Sequence, residues 1–384
     1  MDAAAIRRPQ VVTAKGDIDD VVAQIVAGLA GFDPSLVLFF AVEGAQVAPL
    51  SAQLSAGFGP DRLVLGCSSA GGFDLDGYAD EGVIAIGFPA VSFRAKAVWL
   101  SRLRQHLALD WMVSLRDLAV QVPAPAGWSG FGLLLIDGMS GREELVAATV
   151  DAALPELLVL GGSAADGLRF GQTQLAMNGE SRPESALFCM IATDFAVEEV
   201  VFDHFNSVGT RMVVTEADPD NRLLTEIDAE PAAAEYARQI GVAVENLGPR
   251  AFARNPLLER SRGRHYVRAI SGVTPGGGLT LMSSVETGAV LSIGRAQGLI
   301  EGFSTRMERL GPVELVLGFD CILRRIAIEQ AGEEPAVAQL CRDFRIAGFN
   351  TYGEQHGGIH VNQTFVGVAF LDRGPDDERN ETRD

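Results

Sequence analysis

One pattern occurs twice in the first half of the chain and constrains its fold more than any other feature. Residues 63–70 read LVLGCSSA and residues 158–165 read LVLGGSAA, so at both places an apolar run ends in a turn of small residues. Each run follows another apolar run, at residues 36–40 and 132–136, with a helix-like stretch between the two. Buried strands that alternate with amphipathic stretches are typical of β-α-β units. The pattern therefore predicts two copies of such a unit.

A third, weaker copy follows near the C-terminus. Residues 313–320 (VELVLGFD) and 344–351 (FRIAGFNT) are apolar runs, and residues 322–331 between them favour a helix. We therefore predict the α/β class, with repeated β-α-β units that form two domains around mixed sheets. The predicted boundaries are a partly disordered N-terminal segment at 1–30, α/β domains at 31–222 and 223–372, and a disordered tail at 373–384.

Composition narrows the class of protein. The chain has 31 Lys and Arg against 50 Asp and Glu, a net charge of −19, so nucleic acid would repel it and we expect no such partner. No apolar run reaches the roughly 18 residues of a membrane span, and no apolar leader follows the first residues, so we expect a cytoplasmic protein. The four cysteines form no Cys-x-x-Cys pair, which fits free thiols in a reducing compartment.

The strand exit of the third copy differs from the other two. Residues 66–72 and 161–167 carry mainly Gly, Ala and Ser, whereas residues 347–370 hold an acid, two histidines and several amides and hydroxyls between apolar runs. Ligand sites of α/β proteins lie at the carboxyl ends of strands. We therefore predict that the ligand is bound by Cys67, Ser68, Ser163, Asn350, Tyr352 and Glu354. Asn362 and Thr364 have a structural alternative, which is to satisfy backbone groups at a hairpin.

The Gly- and Ser-rich turns match no nucleotide-binding or hydrolase motif. They lack the Gly-Lys-Ser/Thr end of a P-loop, the Gly-x-Gly-x-x-Gly pattern and the Gly-x-Ser-x-Gly elbow. Cys67 is the best candidate nucleophile, because exposed backbone N–H groups at a strand end would lower the pKa of its thiol. An inert buried thiol is the alternative, and we expect a protein that is not an enzyme.

Two histidines are candidates for a single bond to haem iron. His204 lies between Phe202 and Phe205, and His360 directly precedes the strand predicted at residues 361–370. An imidazole in apolar surroundings suits one axial iron bond better than zinc, which needs three or four ligands. A hydrogen-bonded structural histidine is the alternative at both positions.

The motifs, taken in this order, resemble those of FIST domain proteins, with FIST N and FIST C segments. The resemblance spans residues 36–371 and rests on LGCSSAGG (65–72), LGGSAAD (160–166), EPAAAEY (230–236), YVR (266–268), GFNTYGE (348–354) and HVNQT (360–364). FIST domains are regarded as cytosolic sensory domains of bacterial signalling, proposed to bind small ligands such as amino acids. One subset, the nitric-oxide-sensing haem proteins (NosP), binds b-type haem and regulates a partner histidine kinase.

The resemblance implies a leading hypothesis, a cytoplasmic sensor that binds b-type haem and nitric oxide and regulates a histidine kinase in trans. His204 and His360 are then the candidate metal ligands, and Phe205 and Asn362 are expected beside the cofactor. A second copy of the chain, in a homodimer, is a further candidate partner.

Two alternatives stay open. In a haem-free sensor, Arg268, Glu354 and Asn362 would pair with the carboxylate and ammonium groups of an amino acid. In an alternative of another class, the protein is an enzyme with Cys67 as its nucleophile.

Overall fold

The computed structural model describes residues 6–31, 33–42, 46–105, 107–261 and 264–373. The disorder predicted for the two ends falls largely on residues 1–5 and 374–384, which lie outside the described residues. Within the described ranges the chain forms three mixed sheets and one antiparallel sheet, all connected with helices. The predicted α/β class with mixed sheets is confirmed.

Three units follow one another with a shared order of elements: a strand, a helix, a strand, a second helix, a strand, a hairpin and a last strand. The third unit has one additional helix before its third strand. The first unit contains β1 (Gln10–Ala14), α1 (Ile18–Gly28), β2 (Pro34–Ala41), α2 (Val47–Phe58), β3 (Leu63–Ser68), β4 (Gly72–Asp74), β5 (Gly77–Ala79) and β6 (Val83–Pro89). The second contains β7 (Phe93–Ser101), a 3-10 turn (Leu103–Gln105), α3 (Ala108–Gln121), β8 (Ser129–Ile136), α4 (Glu143–Ala153), β9 (Leu158–Ser163), β10 (Leu175–Met177), β11 (Glu180–Ser181) and β12 (Ser185–Thr193).

The third unit carries a long insertion after its first strand, β13 (Ala196–Phe202). The insertion contains β14 (Phe205–Asp218), β15 (Leu223–Ile227), β16 (Glu230–Pro231), α5 (Ala232–Ile240), a 3-10 turn (Val244–Asn246), α6 (Pro249–Arg254), β17 (Leu257–Ser261), β18 (Arg264–Arg268), β19 (Ile270–Val273), β20 (Leu279–Leu281) and β21 (Val290–Ala296). The unit then resumes with α7 (Glu301–Glu308), β22 (Leu315–Cys321), α8 (Ile322–Ala331), α9 (Glu334–Asp343), β23 (Ile346–Thr351), β24 (Glu354–His356), β25 (Ile359–Val361) and β26 (Phe365–Leu371).

Each unit gives its hairpin to the sheet of another unit, so the three units close into a ring. The three sheets have the orders β1-β6-β2-β3-β10-β11, β7-β12-β8-β9-β24-β25 and β13-β26-β22-β23-β4-β5. Within each sheet the β-α-β pair is parallel, as in β2 with β3, and the remaining pairs are antiparallel. The insertion forms its own antiparallel sheet in the order β18-β17-β21-β14-β15-β20-β19, with β16 on β15.

The central strands of the three mixed sheets are apolar because both of their faces are buried. Alternate residues of β2, β8 and β22 point into one central core, which includes Phe40, Leu135 and Phe319 at equivalent positions. The opposite face of each sheet packs on its own helices, as Val37 and Phe39 of β2 do on α1 and α2. Burying one such side chain contributes about 1.5–3 kcal/mol, and strands covered on both sides read as continuous apolar runs.

A glycine at the same position of each repeat lets the parallel strands approach. A Cβ atom on Gly161 would lie 1.8 Å from the carbonyl oxygen of Leu134, and one on Gly348 would lie 1.8 Å from that of Gly318. In the first unit the ring of Phe39 covers Gly66, 2.4 Å from the place of a Cβ. The shared Gly of the repeated pattern is therefore a packing requirement.

Two further features concern the chain as a whole. Ile6, Arg7, Arg8 and Asp372, from the two ends of the described chain, line one surface groove together with Glu314. The predicted boundary between residues 222 and 223 falls in the turn that joins β14 and β15. Strands from both predicted domains share sheets, and the domain boundaries stay a sequence prediction.

Candidate functional site

The exits of the three parallel strand pairs meet in one ring of backbone hydrogen bonds. Because the units pair their strands in the same register, Ser68, Ser163 and Asn350 occupy equivalent positions. Their carbonyl oxygens accept N–H groups from the exits of neighbouring units, over 3.1, 3.3 and 3.0 Å; the donors are Ala165, Tyr352 and Ala70. The structure thus brings together predicted site residues from all three units.

Glu354 lies beside this ring with its carboxyl group fully buried. Thr351 donates its hydroxyl to one carboxyl oxygen, and Thr364 donates its hydroxyl (2.6 Å) and its N–H (3.2 Å) to the other. Burial raises the pKa of Glu354 to about 8, although the threonine hydrogen bonds oppose this shift. The carboxyl group therefore connects the strand exit to the start of β26.

Asn350 and Tyr352 are also engaged in internal contacts. The amide oxygen of Asn350 accepts a hydrogen bond from Arg325 over 3.2 Å. The Tyr352 hydroxyl donates to Asp166 and accepts the N–H of Phe170 over 3.2 Å, and the two rings stack with centroids 4.7 Å apart. The Tyr352 contacts hold the loop after β9 and so connect the third unit to the second, whereas the Asn350 side chain is bound within the third unit.

His360 is buried and has a neighbour at each ring nitrogen. Its Nδ1 lies 3.0 Å from the Gln355 amide nitrogen, and its Nε2 lies 3.3 Å from the carbonyl oxygen of Met282. Burial lowers the pKa of His360, and the nearby Glu144 opposes that shift. This is the arrangement of a hydrogen-bonded structural histidine, the alternative that the sequence left open.

A cleft of about 370 Å³ opens between the inserted sheet and the third unit. Its apolar wall includes Phe205 and Tyr266, and its polar groups include Asp203, His265, His356 and Asn362. The amide nitrogen of Asn362 donates to the carbonyl oxygen of Tyr352 over 3.2 Å. The amide oxygen of Asn362 is buried and has no hydrogen-bond partner among the residues that the structure describes. Phe205 and Asn362, both expected beside the cofactor, therefore line one cleft.

His204 lies next to this cleft, in the short link between β13 and β14. Its ring stacks on Phe202 at 6.0 Å and contacts Phe205 at 4.1 Å between centroids. Both of its ring nitrogens are buried and lack a hydrogen-bond partner within the described ranges. Burial, together with the charge of Arg324, holds the pKa of His204 well below its usual range. The imidazole is therefore neutral and lies against two aromatic rings, and no described residue engages either of its nitrogens.

The other predicted ligand residues lie elsewhere. Arg268 donates to Glu259 over 2.6 Å on the inserted sheet and does not line the cleft. Ser68 lines a second, more open cleft of about 580 Å³ with Asp166 and Gln172. Cys67 is completely buried, and burial raises the pKa of its thiol, whereas the sequence argument expected a lowered pKa. The thiol is an inert core group, and the nucleophile alternative loses its physical basis.

Sequence reasoning missed the polar groups that surround His204 and the cleft. Asp203, His265 and His356 meet only through long-range pairing of strands, so no local pattern indicates them. For Arg324 the sequence did contain an indication of a buried ion pair, because Arg324 follows Asp320 by four residues across a strand–helix junction. The two side chains form such a pair, with 2.8 Å between Nη1 and Oδ1. Charged residues at that spacing in an apolar stretch indicate a paired, buried site.

Two features are missing from the residues that the structure describes. No group of three or more His, Cys, Asp or Glu side chains in those ranges could hold a metal ion. A haem iron held by one histidine needs no such group. None of the helices that the structure describes is both long and apolar enough to cross a membrane.

Comparison with known proteins assigns the chain to a family. Residues 35–230 match the FIST N domain and residues 232–356 match the FIST C domain. The chain belongs to the FIST family. FIST domains are signalling sensor domains for small ligands and are generally not enzymes. No curated protein matches this FIST sequence. A solved structure, a cyanuric acid hydrolase from A. caulinodans, is similar over 95% of this chain and 99% of its own, with 10% identity and a TM-score of 0.36.

Proposed function

We propose that this FIST protein is a cytoplasmic sensor that binds b-type haem through His204, responds to nitric oxide and regulates a separate histidine kinase. The observation that carries the proposal is the state of His204, whose two ring nitrogens are buried and unpartnered in the described part of the chain. Buried polar groups are normally hydrogen-bonded, and an unpaired one costs about 1–3 kcal/mol. A bond to iron would use one of these nitrogens.

The surroundings of His204 suit an axial ligand. Its depressed pKa keeps the imidazole neutral, which is the form that binds metals. Phe202 and Phe205 supply apolar surface, and the adjoining cleft of about 370 Å³ falls in the usual range of small-molecule pockets. His204 and Phe205 would hold the cofactor, with Asn362 at the same cleft. When bound, the haem supplies a ferrous iron that takes up nitric oxide.

His360 is less suited to the same role. Both of its ring nitrogens already have neighbours within 3.3 Å, so an iron bond would require the loss of a contact to Gln355 or Met282. It therefore serves as a matched control, because it is a second buried histidine of the same chain.

The test is the absorption spectrum of protein purified from haem-supplemented cells. We expect a Soret band in the wild type and in His360→Ala, and loss of the band in His204→Ala. Reconstitution of each variant with haemin, followed by titration of the ferrous protein with nitric oxide, separates cofactor loss from loss of gas binding. A Soret band of equal strength in His204→Ala, or its loss only in His360→Ala, would contradict the assignment.

The inference of a kinase partner depends on the resemblance to the stand-alone haem sensors, and a separate experiment tests it. We expect the haem-loaded protein to change the autophosphorylation rate of a purified histidine kinase encoded beside it, and nitric oxide to reverse that change. His204→Ala should show no response to the gas. An identical effect of nitric oxide on the kinase with and without this protein would contradict the proposal.

A haem-free sensor is the second candidate, and the unpartnered amide oxygen of Asn362 favours it. A buried acceptor in a cleft that also contains Asp203 suits a ligand with N–H or ammonium donors. Arg268 and Glu354, expected to bind an amino acid, are engaged elsewhere, so Asn362 alone of that set would contact the ligand. If no Soret band forms on reconstitution, thermal-shift screening with amino acids becomes the test, and Asn362→Ala should abolish any shift.

A further inference from the structure

Arg324 is a buried cation whose hydrogen-bonding capacity is only partly used. The residue is 1% exposed, and its Nη1 donates to Asp320 over 2.8 Å. Its Nε and Nη2 atoms have no hydrogen-bond partner in the ranges that the structure describes. Buried guanidinium groups normally have all their donors satisfied, because the desolvation of an ion is repaid only by a full set of contacts. The Nε and Nη2 edge of Arg324 is therefore an exception among buried guanidinium groups.

The immediate surroundings supply no acceptor for this edge. The Arg324 Cζ atom lies 5.0 Å from the ring centre of Phe303, 5.6 Å from that of Phe202 and 5.9 Å from that of Phe365. Aromatic faces stabilise a cation, but they do not replace oxygen acceptors for its N–H groups. Asp320 has a second donor of its own, the hydroxyl of Tyr78 at 2.8 Å.

Two other arginines of the chain each contact two carboxylates. Arg222 holds two carboxylates, Glu143 at 2.5 Å and Glu144. Arg325, the next residue of α8, holds Glu329 at 2.7 Å and also Asp80. Among the described residues Arg324 holds a single carboxylate, and none of them supplies an acceptor to the edge formed by Nε and Nη2. That edge is the one that matches two oxygens of a planar anion.

His204 adds a donor in the same neighbourhood. Its ring stacks on Phe202, the ring that Arg324 also contacts, and neither of its nitrogens has a partner in the described part of the chain. A neutral imidazole carries one N–H donor and one acceptor nitrogen. The Phe202 ring is thus flanked by two side chains with three unsatisfied positions able to donate.

We propose that a small planar monovalent anion, with the chemistry of a carboxylate or nitrate, binds the Nε and Nη2 edge of Arg324 and takes a further hydrogen bond from His204. The anion would give Arg324 a second anionic partner, such as Arg222 and Arg325 each have. The site does not depend on haem, and it can be occupied either by a free anion or by the carboxylate of a longer ligand. If haem binds as well, the anion would orient the imidazole through the nitrogen that the iron leaves free.

The test uses the haem-free wild-type protein and sodium formate, titrated by calorimetry against sodium chloride at constant ionic strength. We expect saturable binding of formate and not of chloride. Arg324→Lys keeps the charge but loses the two-pronged edge, so affinity for formate should fall at least about tenfold. Arg325→Lys is the matched control, since it alters the neighbouring arginine, whose donors are engaged, and should leave formate affinity unchanged.

The chain length of the anion separates the two sources. A free anion in a closed site predicts that formate binds more tightly than butyrate, whereas a carboxylate carried on a longer ligand predicts the reverse order. If Arg324→Lys does not fold, the Nε–H resonance that shows contacts to the Phe303 ring can be followed in the wild type. Absence of saturable formate binding, no formate-dependent shift of that resonance, or equal affinity in Arg324→Lys would overturn the proposal.

Discussion

Glu354 shows how one side chain at a strand exit couples the framework to pH. Its carboxyl group is fully buried among Thr351 and Thr364, and burial raises its pKa to about 8. In the unfolded chain the group titrates near 4.5. Between these two values the folded protein binds a proton that the unfolded chain has lost, so the free energy of unfolding must fall as pH rises through this window. Below it both states are protonated and the effect vanishes.

We predict that Glu354→Gln removes this pH dependence. The amide is close to the protonated acid in shape and does not ionise, so the stability of the variant relative to wild type should increase with pH between 5 and 8, by up to about 1.4 kcal/mol per pH unit. Urea unfolding at pH 5.5, 6.5 and 7.5 measures the difference. A difference that stays constant over this range would show that Glu354 is ionised in the folded protein.

For single residues, the sequence predicts which side chains lie at a strand exit better than it predicts whether they bind a ligand or hold the framework together. Asn362 lines the cleft, whereas Glu354 and Tyr352, which are polar and lie equally close to a strand end, are engaged in the framework. The difference depends on partners far away in the chain, such as Asp166 for Tyr352. Local sequence patterns carry no information about such distant partners. A polar cluster at a strand exit is therefore compatible both with contacts between units of the framework and with a ligand site.

At the scale of elements, the glycine of each repeat fixes how closely two parallel strands pair. The predicted helix at 322–331 coincides with α8, and the predicted runs at 313–320 and 344–351 overlap β22 and β23. These elements could be predicted because their apolar pattern is local. The donation of each hairpin to another unit could not, because nothing within a hairpin sequence specifies the edge strand it joins.

We predict that Gly161→Ala and Gly348→Ala prevent native folding or cost more than about 4 kcal/mol. The added Cβ would lie 1.8 Å from a carbonyl oxygen of the paired strand, so the backbone itself would have to move. Gly276→Ala is the control, since the nearest atom to its Cβ is 4.0 Å away, and it should change stability by less than about 0.5 kcal/mol. Urea unfolding measures all three; a Gly161→Ala variant as stable as the control would contradict the steric argument.

At the scale of the molecule, the ring makes the three units depend on one another. The hairpin β4–β5 of the first unit pairs with β23, and β24 of the third unit pairs with β9 of the second. The three copies are visible in the sequence, but their closure depends on contacts between residues hundreds of positions apart. The two family segments are therefore regions of sequence whose strands complete each other's sheets.

We predict that the protein unfolds in one cooperative transition, and that residues 1–222 expressed alone do not reach a native state. That segment would lack the partners of β4 and β9 and would expose the central core. Calorimetry of the full chain and near-UV circular dichroism of the segment measure these outcomes; co-expression with residues 223–384 should restore the spectrum. Cooperative unfolding of the isolated segment would show instead that it is an independent domain.

The groove lined by Ile6–Arg8 and Asp372 bears on the order in which the three units follow one another along the chain. Because the two ends of the described chain meet there, a short peptide could join them while the chain is opened at another surface turn, such as Pro123–Gly127. In a closed ring of three like units no unit is structurally first. The order of the three units along the present chain would then be one of several circular permutations of the same architecture.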